Sequence, residues 1–191
     1  MPVTYINRKE DVYYLHKGKT KAGKPKYFFS KKRNDNLVEK IPDGYEIYEN
    51  PNAKVFLRKK LVSLINDAEL ALVENGVKKY ADFKFFIIDR RERTITIYLP
   101  DQDIDELKSI IEGFSIVPEK DLDNTIAKLF TYTPMLRFTL TDETERKYLV
   151  ERYCFLGSID DWIDLESSMS LEKMVKKYCI HLGKESFFDL I

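Results

Sequence analysis

Lysines at alternating positions beside tyrosine and phenylalanine are the side chains of this sequence best suited to chemistry, and that chemistry is anion recognition rather than bond making. Residues 17 to 26 read KGKTKAGKPK, which places Lys17, Lys19, Lys21, Lys24 and Lys26 between the aromatics Tyr13, Tyr14, Tyr27, Phe28 and Phe29. Side chains alternate across a strand, so Lys17, Lys19 and Lys21 are expected to share a face. From there they can follow a phosphate backbone while the aromatics offer stacking surface. Lys31, Lys32 and Arg33 extend the patch. The same residues have an ordinary reading: natural sheets place lysine on exposed edges to prevent strand-to-strand association, and aromatics fill cores. Arg90, Arg91 and Arg93 offer a second contact region.

Other constellations carry less. Asp101, Asp103, Asp105 and Glu112 match positions of a calcium loop, but Glu106 stands where the loop needs glycine. The acids suit a helix start, where carboxylates meet the positive end of the macrodipole. His16, His181, Cys154 and Cys179 form no CxxC or HExxH spacing, so no metal is expected and the cysteines read as reduced, partly buried thiols. Neither GxSxG nor GxxxxGKS occurs, and no cofactor is expected. Glu145-Arg146-Lys147 has the acid-x-lysine spacing of many metal-dependent nucleases, yet it falls in a charged turn. Asp160, Asp161 and Trp162 can line a polar pocket with His181, the one arrangement here that would speak for an enzyme; the ordinary alternative is a half-buried Trp after a capping Asp.

The chain of 191 residues holds 32 basic and 32 acidic side chains, and 43% of its residues are hydrophobic. The neutrality conceals an asymmetry: residues 1–60 carry 15 Lys and Arg against 7 Asp and Glu, and residues 61–191 carry 17 against 25. Such a division steers a basic end toward polyanions, unless the two sections neutralise each other. The composition excludes collagen, disorder and a disulfide scaffold. Apolar runs such as Phe85 to Ile88 are far too short to span a bilayer, and the N-terminus lacks a signal peptide's apolar core. A cytoplasmic protein without membrane contact is expected.

The elements that must position these groups read as α+β. Residues 1–60 predict an antiparallel β section of short strands, Val3–Ile6, Val12–His16, Lys26–Ser30, Leu37–Ile41 and Tyr45–Glu49, the second and third forming the basic hairpin. Residues 61–191 predict antiparallel hairpins packed with about four helices. Asn66 and Glu69 mark the first helix as a capping pair, with Gly76 a weak point in it. Strands follow at Phe83–Ile88 and Thr94–Leu99, then a helix whose start is crowded by Asp101, Asp103, Asp105 and Glu106 and which ends at Gly113, and another between Asp121 and Phe130. A hairpin of Leu136–Leu140 and Tyr148–Leu156 ends at Gly157, and Ser170 caps a last helix that stops at Gly183.

The stretches TYINRKEDVYYLHKGKTKAGKPKYFFS, CFLGSIDDWIDL and HLGKESFFDLI resemble uncharacterised prokaryotic proteins without an established activity. The resemblance implies a prokaryotic, single-chain protein and transfers no functional residue. The expectation is therefore a nucleic-acid-binding protein that docks through Lys17, Lys19, Lys21, Lys24, Lys26, Lys31, Lys32 and Arg33. The alternative is a protein-interaction or regulatory module whose basic section meets an acidic protein partner.

Overall fold

The period-two alternation of apolar residues is realised as antiparallel pairing throughout a computed structural model, which describes residues 1–81, 83–113, 119–156 and 159–190. The chain divides into two compact units, 1–60 with 102–130 and 61–101 with 131–191. The border after Lys60 coincides with the change in composition. The segment 102–130, expected with the acidic section, groups instead with the N-terminal one. The first unit then holds 18 Lys and Arg against 14 Asp and Glu, and the second 14 against 18.

In the first unit, β1 (Thr4–Ile6), β2 (Val12–Lys19) and β3 (Pro25–Ser30) form a sheet in the order β1-β2-β3. β1 pairs only with the start of β2, from Val12 to Tyr14. The rest of that edge is covered by the returning chain, where Lys17 N–H donates to the Asn36 carbonyl and Val38 N–H to the Leu15 carbonyl. The expected strand at Leu37–Ile41 thus shrinks to one bridge between His16 and Leu37. A separate ribbon pairs β4 (Tyr45–Glu49) with β5 (Val55–Lys59). Polar clamps fasten its turn to the turn after β1. Asn7, 4% exposed, donates to the Ala53 carbonyl at 2.7 Å, and Arg8 binds the Glu49 carboxylate and the Asn50 and Pro51 carbonyls. The helices α2 (Ile104–Gly113) and α3 (Glu119–Leu129) complete the unit. Leu122, Ile126 and Phe130 are buried, and Lys128 pairs with Glu10 at 2.6 Å, which gives 102–130 its reason to associate with residues 1–60.

The second unit is a five-stranded meander of β6 (Ile87–Arg90), β7 (Thr94–Pro100), β8 (Tyr132–Asp142), β9 (Lys147–Leu156) and β10 (Ile159–Ser170), ordered β10-β9-β8-β7-β6. One face is apolar: Ile95, Ile97, Leu136, Phe138, Leu140, Tyr148 and Val150 pack against α1 (Asp67–Tyr80) and α4 (Leu171–Tyr178). The capping pair at the start of α1 forms as expected, with Asn66 accepting from Glu69 N–H and Glu69 accepting from Asn66 N–H. Gly76 is a close approach rather than a weak point, because a Cβ there would stand 2.0 Å from Val175 Cγ1 of α4. Ser170 occupies the N-cap of α4 without a side-chain cap bond, and the helix gives way to a 3-10 turn, Cys179–His181, before Gly183 at φ +72°.

Other readings of this unit change. The strand expected at Phe83–Ile88 is β6, which starts at Ile87 and runs on to Arg90. β8 starts before Pro134, which is tolerated because the pairing with β7 shifts register between Ile97 and Tyr98 and a missing ladder donor is absorbed there. β10 was not legible as a strand, since its acids and serines break the alternation; it pairs with β9 across two register shifts. Gly157 lies outside the described residues. Among the described residues no helix is long and apolar enough to cross a membrane.

Candidate nucleic-acid interface

The basic hairpin is built by the β2–β3 ladder, whose register sets Leu15 opposite Phe29, Lys17 opposite Tyr27 and Lys19 opposite Pro25. Directly opposed residues share a face, so Lys17, Lys19 and Tyr27 lie together. His16, Phe28 and Lys26 take the other face. His16 is almost fully buried, its ring 5.4 Å from that of Phe28 and its Nε2 donating to the Lys32 carbonyl at 3.0 Å. The eight cations therefore do not form one row. Lys21 and Lys24 belong to the turn, where strand alternation no longer applies. There Thr20 N–H donates to the Lys24 carbonyl, Gly23 N–H donates to the Thr20 carbonyl, and Gly23 supplies the positive φ of +76°.

All eight cations are exposed. Lys31 pairs with Asp11 at 2.7 Å, an interaction that holds the Asp11 carboxyl below the usual range. Among the described residues, no carboxylate pairs with Lys17, Lys19, Lys21, Lys24, Lys26, Lys32 or Arg33. Residues 17–38 contain a single acid, Asp35. Three cations stand over tyrosine rings, Lys17 at 6.0 Å from the Tyr27 centroid, Lys31 at 5.8 Å from Tyr13 and Arg33 at 6.0 Å from Tyr14. These contacts orient the cationic stems without neutralising them.

Two hollows flank this surface. One of about 540 Å³ is lined by Lys17, Gly18, Lys19, Gly23, Pro25 and Asn36, and one of about 360 Å³ by Lys17, Tyr27, Asn36, Leu37 and Val38. Lys17 and Asn36 belong to both. Asn36 was not visible as a site residue, because only the return of the chain along the β2 edge carries it there.

The remaining candidates are differently placed. Arg90 pairs with Asp67 at 2.5 Å, Arg91 with Asp89 at 2.9 Å and Arg93 with Glu143, so the second contact region expected there is charge-compensated. Arg146, between Glu145 and Lys147 in a turn, bonds Glu69 of the α1 cap. Trp162 sits on β10 rather than after a cap, half-buried between the Arg137 guanidinium, 4.1 Å from its ring, and the Tyr153 ring at 5.0 Å. Asp160 and Asp161 face Phe155 and Cys154 in the ladder, whereas His181 contacts Ser186, and among the described residues no hydrogen bond or ion pair joins them. Asp101 and Asp103 precede α2, and Asp103 accepts from Glu106 N–H as a helix-start acid does. The side chains of Asp105 and Glu112 lie outside the described residues. Cys154 and Cys179 are buried free thiols, and burial pushes Cys179 up to about 12. Among the described residues, no cluster of three or more His, Cys, Asp or Glu is placed to hold a metal. No family model, curated protein or solved structure matches the chain.

Proposed function

We propose that this protein binds nucleic acid through its β2–β3 hairpin, in the cytoplasm of a prokaryotic cell. The observation that carries the reading is the company the lysines keep: seven exposed cations within residues 17–33 have no carboxylate partner among the described residues, so their charge is available to a polyanion. The mechanism is electrostatic docking, with phosphates displacing solvent around Lys17, Lys19, Lys21, Lys24 and Lys26, and Lys31, Lys32 and Arg33 extending the footprint. Neutralising phosphates releases condensed counterions, and with about five contacts the expected log-log salt slope on duplex DNA is about −4.5.

The test is fluorescence anisotropy of labelled DNA and RNA titrated with the protein at several salt concentrations. Binding that weakens steeply with salt and is lost in a Lys19→Glu, Lys21→Glu, Lys24→Glu variant supports the reading. Absence of binding at low salt overturns it, and would direct attention to an acidic protein partner for the same surface.

A further inference from the structure

We infer that the groove beside Lys17 is a nucleotide subsite for single-stranded nucleic acid, holding one unpaired base against the Tyr27 ring; this rests on the reading of the hairpin as a nucleic-acid interface. The two hollows, of about 540 and 360 Å³, meet at Lys17 and Asn36, and their combined lining is what a single nucleotide requires. Lys17 and Lys19 stand on one face of β2 with Tyr27 directly opposite Lys17. The Lys17 ammonium lies 6.0 Å from the Tyr27 centroid, so a phosphate linked through one sugar to a base on that ring comes within its reach. Asn36 closes the groove from the β2 edge, fixed there through its backbone by the Lys17 N–H. Among the described residues its side-chain amide makes no hydrogen bond, which leaves both a donor and an acceptor for a base edge.

The form of nucleic acid follows from the geometry. In a duplex the base faces are stacked on their neighbours, so Tyr27 has nothing to engage and only the lysines contribute. In a single strand each base can unstack onto an aromatic ring, a contact tolerant of base identity. Single strands therefore gain affinity from Tyr27 that duplexes do not.

The experiment compares a labelled oligothymidylate with a labelled duplex by anisotropy at low salt, using the unaltered protein and the variants Tyr27→Ala and Tyr27→Phe. Circular dichroism confirms that each variant is folded. The expected result is tighter single-strand than duplex binding by the unaltered protein. Tyr27→Ala should weaken the single strand roughly tenfold with the duplex little changed, and Tyr27→Phe should retain binding. Equal affinity of the unaltered protein for both forms overturns the subsite while leaving the hairpin reading intact. So does a Tyr27→Ala loss that is the same on both. Failure to bind either form at low salt overturns the hairpin reading and the subsite with it. The first comparison needs no variant, so the inference stays exposed to refutation even if Tyr27→Ala does not fold.

Discussion

The cations of the β2–β3 hairpin and those of the five-stranded sheet differ in both type and company. Apart from Lys147, which pairs with Glu145, the sheet and its turns use arginine: Arg90, Arg91, Arg93, Arg137 and Arg146 each meet a carboxylate, those of Asp67, Asp89, Glu143, Glu151 and Glu69, while Arg152 donates to the Leu190 carbonyl. The hairpin uses lysine almost throughout, and among the described residues Lys31 alone of these lysines pairs with a carboxylate. Arginine's planar fork suits fixed, partly buried pairs, whereas lysine is a hydrated point charge on a flexible stem, suited to an exposed surface that must meet phosphates at variable positions. A formal charge count treats the two regions alike. What distinguishes them is how much charge is already compensated within the protein.

The contrast can be broken most directly by charge reversal. Lys19→Glu, Lys21→Glu, Lys24→Glu should lower affinity for a polyanion at least about a hundredfold at low salt. Replacing Arg90, Arg91 and Arg93 by alanine should leave that affinity within about threefold, because their charge is already matched by carboxylates. Anisotropy titrations of both variants decide the point; equal losses would mean that the pairing in the sheet does not withhold its charge.

A second test concerns packing, where the sheet unit should be sensitive and the hairpin tip tolerant. Gly76→Ala must move Val175 or separate α1 from α4, with an expected loss of about 2 kcal/mol in urea unfolding, overpacking outweighing the gain in helix propensity. Unchanged stability would show that the two helices adjust freely. Somewhat smaller is the effect expected for Glu69→Gln, about 1.5 kcal/mol, since it weakens the α1 capping box and leaves Arg146 without its carboxylate. Burial would raise the Glu69 carboxyl, but hydrogen bonds from Arg146, Tyr148 and the Asn66 N–H outweigh it and hold it below its usual value. A depressed carboxyl contributes stability that is complete above the unfolded-state value and is lost as pH falls through the folded one. Acid unfolding monitored by circular dichroism should therefore shift toward neutrality least in Lys21→Ala and leave Glu69→Gln with a flatter acid limb than the parent. Lys21→Ala itself should change stability by no more than about 0.5 kcal/mol, a result that would mark the lysine as dispensable to the fold.

Much of the architecture was legible in the chain because it is local. Asn66 and Glu69 announce a helix start through a contact three residues apart, and the alternation of Leu136, Phe138 and Leu140 marks a half-buried strand. β10 escaped detection for a physical reason: it reads IDDWIDLESSMS, and pairing with β9 through shifted register replaces the alternation that would have revealed it. Likewise α2 and α3, acidic and placed in the chain between β7 and β8, carry no local sign that Lys128 meets Glu10.

For the candidate interface, the clustering of basic and aromatic residues at a hairpin is already written in the chain, since a lysine-rich stretch with a central Ala22-Gly23 turn between aromatic-rich segments needs no distant partner to fold back. The hairpin register then sets Tyr27 across from Lys17, but which of those charges lack a carboxylate partner among the described residues, and the return of Asn36 to the groove beside them, depend on contacts between segments far apart in the chain. Charge is a property of each residue, but its availability depends on which carboxylates the rest of the chain brings within reach, and that is settled only when segments distant in sequence pack together.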